Sequence, residues 1–93
     1  MVTFHVRGEL DISNAASLER KVVAVLQRSP TPEVVRLELA DLEFIDSMGL
    51  GVLLRVRGRA RRLGCRLAIS STSPFVDRVF VVSGLREILR GAA

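Results

Sequence analysis

The chain has 93 residues, 48% of them hydrophobic and 26% charged, which suffices for one domain with a real core and not for two ordinary domains. With 14 basic and 10 acidic side chains the net charge is +4, which raises nucleic acid or an acidic partner as options. The apolar runs VVAVL and VFVV are too short to span a bilayer, and MVTFHVRGELD lacks the pattern of a signal peptide, so the expected location is the cytoplasm, without membrane insertion.

Residues 3–7 alternate, with Phe4 and Val6 on one side and Thr3, His5 and Arg7 on the other, the pattern of a half-buried strand. Gly8 ends it. Asp11, Ser13 and Asn14 are all capping residue types. Ala15, Leu18, Val22, Val25 and Leu26 then recur at helical spacing, which predicts a helix over residues 14–28, broken by the prolines at 30 and 32. VVRLEL at residues 34–39 predicts a central strand with Val35, Leu37 and Leu39 on one face. Residues 40–43 are expected to turn, and Phe44 and Ile45 to add a short strand edge.

A second helix is expected over residues 49–63, with Leu50, Leu53, Leu54, Val56, Ala60 and Leu63 as its apolar stripe and Gly64 as its C-cap. The next strand is read over residues 65–70 and a loop over 70–74, with Pro74 in the first turn of a helix. Residues 75–82 and 85–89 are read as two short helices around Ser83 and Gly84. The VFVV run also suits a strand; Pro74 and a stripe of Phe75, Val79 and Val82 favour the helix. Strands alternate with helices, so the expected class is α/β, a sheet with helices packed against it.

No catalytic constellation stands out. The single histidine, His5, reads as a strand surface residue, and the single cysteine, Cys65, as a buried or half-buried core thiol. A reactive thiol would need Arg62 or Arg66 pointed at it. One histidine and one cysteine do not make a metal site, and neither a GxxxxGK[ST] loop nor a GxGxxG fingerprint is present. The expectation is a binding protein with no enzymatic activity, no cofactor and no metal. The arginines at 55, 57, 59, 61, 62 and 66 read first as a solvated helix face, then as part of a protein contact. Specific nucleic-acid binding is the weakest reading, because the 4 aromatic residues, all Phe, are not interleaved with them.

The segment DLEFIDSMGLGVLL, residues 41–54, carries the most information. An apolar strand end delivers Asp46 and Ser47 to the start of a helix, where Ser47 is expected at or beside the N-cap, near unpaired backbone N–H groups. A serine there is explained by capping alone. It is also a place where the helix dipole would stabilise an added phosphate. Gly49 and Gly51 are read as keeping the approach open to another molecule; on that reading Gly49→Leu weakens partner binding and leaves the fold largely intact.

GELD at residues 8–11, FIDSMGLGVLL at 44–54 and SGLREIL at 83–89 together resemble the STAS domain, and more closely bacterial anti-sigma factor antagonists. The resemblance covers nearly the whole chain, so residues 1–93 are expected to be one STAS domain, a mixed β-sheet with helices packed mainly on one side. It implies a partner, an anti-sigma factor with serine kinase activity that holds the ATP, whose binding by the antagonist frees a sigma factor. It implies phosphorylation at Ser47, which releases that partner, and a phosphatase that resets the cycle. Asp11, Asp46, Ser47, Met48, Gly49 and Leu50 are the expected partner-binding residues. Three departures stand out. Met48 replaces a common Ser or Thr, and the chain is basic where relatives are often acidic. The family usually has another short N-terminal strand before the one ending in GELD, and this sequence starts almost directly in that later strand, so either an edge is missing or the chain is abbreviated; an unpaired edge would invite weak self-association. The alternative reading is a STAS regulatory subunit of a membrane transporter without a phosphorylation cycle; a small-ligand or nucleotide sensor comes third.

Overall fold

The computed structural model describes residues 1–89. In chain order the elements are β1 (Val2–His5), β2 (Gly8–Leu10), α1 (Ala15–Leu26), β3 (Val34–Leu39), β4 (Leu42–Ile45), α2 (Ser47–Arg62), β5 (Arg66–Thr72), α3 (Pro74–Val82) and α4 (Arg86–Leu89). β3 lies between β1 and β5, and β2 pairs separately with β4. All three pairings are parallel. The α/β class is as expected, but the antiparallel member that a mixed sheet implies is not among the described residues.

The alternation in β3 explains the layering. Val35, Leu37 and Leu39 are fully buried while Val34, Arg36 and Glu38 are half-exposed, so one sheet face is covered and the other is largely open. Val22, Val25 and Leu26 of α1 and Val52, Leu53, Val56 and Ala60 of α2 join that buried face in one core. Each of these Val and Leu side chains contributes about 1.5–3 kcal/mol relative to exposure. No polar or charged side chain is buried among the described residues. Cys65 belongs to the core, and burial pushes its thiol above the ordinary value, the opposite of what a reactive thiol needs.

Helix ends follow local chemistry. Gly64 has φ 75° and follows the C-cap Leu63, with the Cys65 N–H bonded to the Ala60 carbonyl and the Gly64 N–H to that of Arg61. α3 ends the same way: Gly84 has φ 75°, with the Leu85 N–H on Phe80 and the Gly84 N–H on Val81. Both are Schellman closures, which glycine permits without strain. Arg59, Arg61 and Arg62 crowd the last turn of α2, where cations complement the helix dipole. Arg55 reaches across to α1 and donates to both carboxylate oxygens of Glu19 at 3.0–3.3 Å.

Several boundaries and faces differ from the sequence reading; β1 ends at His5, and Gly8, read as a strand end, begins β2. α2 begins two residues earlier, at Ser47, because Asp46 rather than Ser47 supplies the cap. β4 takes in Leu42 and Glu43, expected to turn, through pairing with β2. β5 runs on to Thr72 because Glu38 and Leu39 of β3 continue the ladder to Ser71 and Thr72 across an irregularity. In α3 the buried residues are Val76 and Phe80, whereas Phe75 is 45% and Val82 81% exposed. The helix is there, but of the stripe assigned to its buried side only Val79 packs against the core, while Phe75 and Val82 face outward, since two apolar rows on one short helix compete and packing against β4 and β5 favours the other.

Candidate functional site

The site is assembled by one strand pairing. Leu10 of β2 pairs with Ile45 of β4, both buried and both at the ends of parallel strands. Asp11 and Asp46 therefore leave adjacent strand ends, and the Asp46 N–H donates to the Leu10 carbonyl at 3.3 Å. The grouping of Asp11 with Asp46 and Ser47 among the expected partner-binding residues, implied by the resemblance, acquires a physical reason: neighbouring strands in a sheet are about 4.8 Å apart.

Beyond Asp11 the chain makes a tight loop into α1. The Asp11 carboxylate accepts from the Ser13 N–H at 2.9 Å and from the Ser13 hydroxyl at 2.6 Å. These two bonds, the hydroxyl's first, hold the Asp11 carboxyl below the ordinary range. Asn14 occupies the N-cap of α1 but makes no side-chain cap bond. Its amide accepts from the Asp11 N–H and donates to the Glu9 carbonyl, so it holds the loop closed. Ile12 projects from this loop, 76% exposed.

Beyond Ile45 the chain enters α2. Asp46, in extended backbone geometry, accepts from the Gly49 N–H at 3.0 Å, and its carbonyl accepts from the Leu50 N–H. Asp46 is thus the N-cap and Ser47 the first helical residue. The Ser47 side chain is exposed and makes no hydrogen bond among the described residues. With Gly49 taken by Asp46, the amides of Ser47 and Met48 are the remaining first-turn donors, which a helix cannot satisfy internally.

Of the expected partner-binding residues, Asp11 and Asp46 are half-exposed, Ser47 and Met48 are exposed, and Leu50 is half-buried against the core. Gly49 is a correction. It is buried, and a Cβ there would lie 2.5 Å from the Leu10 carbonyl oxygen and 2.8 Å from Ile45 Cγ1. This glycine lets α2 pack against the ends of β2 and β4; it does not open the surface to a partner. Sequence reasoning also missed Ile12, whose only signal was an aliphatic side chain inside a run of capping residues. It missed the stacked pair Phe44 and Phe75 as well, ring centroids 5.7 Å apart and both partly exposed; nothing in the sequence joins those two positions.

With this geometry established, comparison with known proteins identifies the class. The STAS domain pattern matches residues 1–92, and the chain belongs to that family. Among curated relatives it is 27% identical over 88 residues to the anti-sigma-B factor antagonist of Bacillus subtilis, covering 95% of this chain and 78% of the relative. It is 33% identical over 82 residues to the anti-sigma F factor antagonist of Paenibacillus polymyxa, covering 88% and 69%. Among solved structures, the anti-sigma factor antagonist SpoIIAA in its unphosphorylated form superposes with a TM-score of 0.76 at 27% identity, covering 89% of this chain and 71% of that one. A sulfate transporter family protein from Wolinella succinogenes superposes with a TM-score of 0.81 at 20% identity, covering 95% and 70%; at that identity it shares the fold alone. No helix among the described residues is long and apolar enough to cross a membrane.

Proposed function

We propose that this chain is an anti-sigma factor antagonist that docks an anti-sigma serine kinase through the first turn of α2 and the loop after β2, and that phosphorylation of Ser47 breaks the complex. The observation that carries the reading is the division of labour between neighbours: Asp46 caps the helix, leaving the Ser47 hydroxyl exposed and unengaged. Exposed Met48 and Ile12 supply apolar contact area beside it. Relatives named as antagonists of anti-sigma factors support the partner class and a regulatory rather than catalytic role.

In the switch, Ser47 Oγ accepts the terminal phosphoryl group of ATP held by the kinase, and ADP leaves. The product carries about −1.5 to −2 charges. In the isolated protein the helix N-terminus and the Ser47 and Met48 amides offset part of that charge, by roughly 0.3–1 kcal/mol. In the complex a partner covers the phosphate, removes its water and gains repulsion from Asp46 and Asp11 alongside. Phosphate is therefore tolerated when the protein is alone and expelled from the interface. A phosphatase resets the site.

The test is to incubate the purified chain with its cognate anti-sigma kinase and ATP, locate the phosphate by mass spectrometry and measure binding before and after. Modification at Ser47 with loss of binding is expected. A stable complex with no phosphate, or phosphate elsewhere, overturns the switch and moves the reading to a transporter-associated STAS subunit, which the likeness to the transporter-family structure allows on fold alone.

A further inference from the structure

α1 and α2 lie side by side, bridged where Arg55 of α2 meets Glu19 of α1. Next to that bridge a groove of about 350 Å³ opens between the two helices. Its apolar lining is small: Ala16 and Ala24 are exposed and Val23 is half-exposed. Arg20 of α1 and Arg59 of α2 line it as well. Arg55, Arg59 and Arg62 stand at i, i+4 and i+7, so they share one face of α2.

The acidic side chain in the lining, Glu19, is already spent. Both of its oxygens accept from Arg55 at 3.0–3.3 Å, and these bonds hold its carboxyl below the ordinary range. Arg59 is within electrostatic reach of Glu19 but makes no ion pair, and neither do Arg20 and Arg62 among the described residues. The groove is left with uncompensated positive charge on both of its walls.

Three properties select an occupant. Residues inside a helix give their backbone N–H and C=O to their own helix. An extended segment would therefore find no main-chain partners in the groove and would bury unpaired backbone groups, whereas a helix brings its backbone already satisfied. The alanines let such a helix come close, and the guanidiniums on either side call for carboxylates. None of the large exposed apolar side chains lines the groove, so it lacks the wedge that seats a protein in a lipid surface, and no aromatic is there to stack a base. A second copy of this chain would bring the same positive charge against it.

We infer that the groove between α1 and α2 binds an acidic amphipathic helix of a partner protein. Small apolar residues of that helix rest on Ala16, Val23 and Ala24, and carboxylates along its flanks pair with Arg20 on one side and with Arg59 and Arg62 on the other. The 12 residues of α1 give the groove a length of about 18 Å, which fits about three turns of a docked helix. Neither Asp11 nor any of residues 46–50 lines it, so its occupation does not depend on the state of Ser47.

The test titrates the isotope-labelled chain, at about 0.15 M salt, with an end-capped peptide of about 18 residues that carries Ala and Leu on one helical face and Glu on both flanks. Saturable shifts at the amides of Ala16, Arg20, Ala24 and Arg59 are expected. The same peptide with Lys in place of Glu, and one of equal composition scrambled so that no apolar face remains, should each bind about tenfold more weakly or worse. Arg20→Glu and Arg59→Gln, both at exposed positions, should each weaken binding several-fold and leave Tm unchanged. Ala24→Lys separates a groove from mere attraction: it adds a cation yet fills the apolar lining, so binding should fall. Equal binding of the scrambled peptide, unchanged or tighter binding by Ala24→Lys, shifts confined to other residues, or no saturable binding would overturn the inference. So would tighter binding of a short DNA duplex or of phosphatidylglycerol vesicles than of the acidic peptide, which would assign the arginines to nucleic acid or to lipid.

Discussion

α2 and α3 both begin directly after a strand, with a polar cap and a serine close by, yet the two serines have opposite fates. Ser73 caps α3: its hydroxyl accepts from the Val76 N–H and donates to the Leu42 carbonyl of β4. It is half-buried and fully used. Ser47 stands one residue later relative to its cap; Asp46 does the capping and the Ser47 hydroxyl faces solvent. A serine committed to structure cannot also be a substrate. A one-residue offset in the cap therefore separates a structural hydroxyl from one left exposed to solvent.

The comparison is sharpened most by a residue beside Ser47 that is not exposed. Gly49→Leu should destabilise the fold by about 3 kcal/mol or more, at the top of the range for overpacking, because the atom it strikes is a backbone carbonyl that cannot swing away. For a domain of this size that is a loss of roughly 10 °C or more in Tm, readable by calorimetry. An unchanged Tm would mean that α2 does not sit against β2 and β4 as described, and would return Gly49 to the binding surface. Next in size is Ser73→Ala, expected to cost about 2 kcal/mol in urea unfolding, since it removes a cap and leaves the Leu42 carbonyl without its donor. Ser47→Ala, the matching change at the other helix start, should stay within about 0.5 kcal/mol of the parent while abolishing phosphorylation. Equal costs at the two serines would erase the distinction. Asp46→Ala should fall between them, at about 1 kcal/mol, as the loss of an N-cap.

The smallest effect concerns acid. The Asp11 carboxyl lies below its ordinary 3.8 because Ser13 donates to it twice. A carboxylate with a depressed folded pKa adds stability that is present above the unfolded value and lost as the pH falls through the folded one. The loop carrying Ile12 should therefore hold its conformation at neutral pH and loosen only below 3.8. In an NMR titration Ser13→Ala should move the Asp11 midpoint upward, toward the ordinary value. An unmoved midpoint would show that Ser13 is not what fixes the loop.

The legible parts of this protein are those set by short-range patterns. The alternation of VVRLEL named the central strand and its buried face at its observed bounds. The helical spacing after Asn14 named α1 and its core residues, and Pro74 marked the start of α3. Ser47 and its neighbours stood out as a candidate site because an apolar strand running into a polar pair and a helix is unusual and matches a known family. What these signals lack is any record of what lies across from a residue. Gly49 resembles an open approach until Leu10 and Ile45 are seen against it. Phe75 and Val82 resemble a buried stripe until β4 and β5 take up Val76 and Phe80 instead. Ser47 resembles a cap until Asp46 is seen to fill that place. Periodicity is local and survives in one dimension, so the sequence by itself determined the elements and the family; contact between β2, β4 and α2 joins residues far apart in the chain, so only the tertiary structure decided which small or apolar residue is packed and which serine is spent.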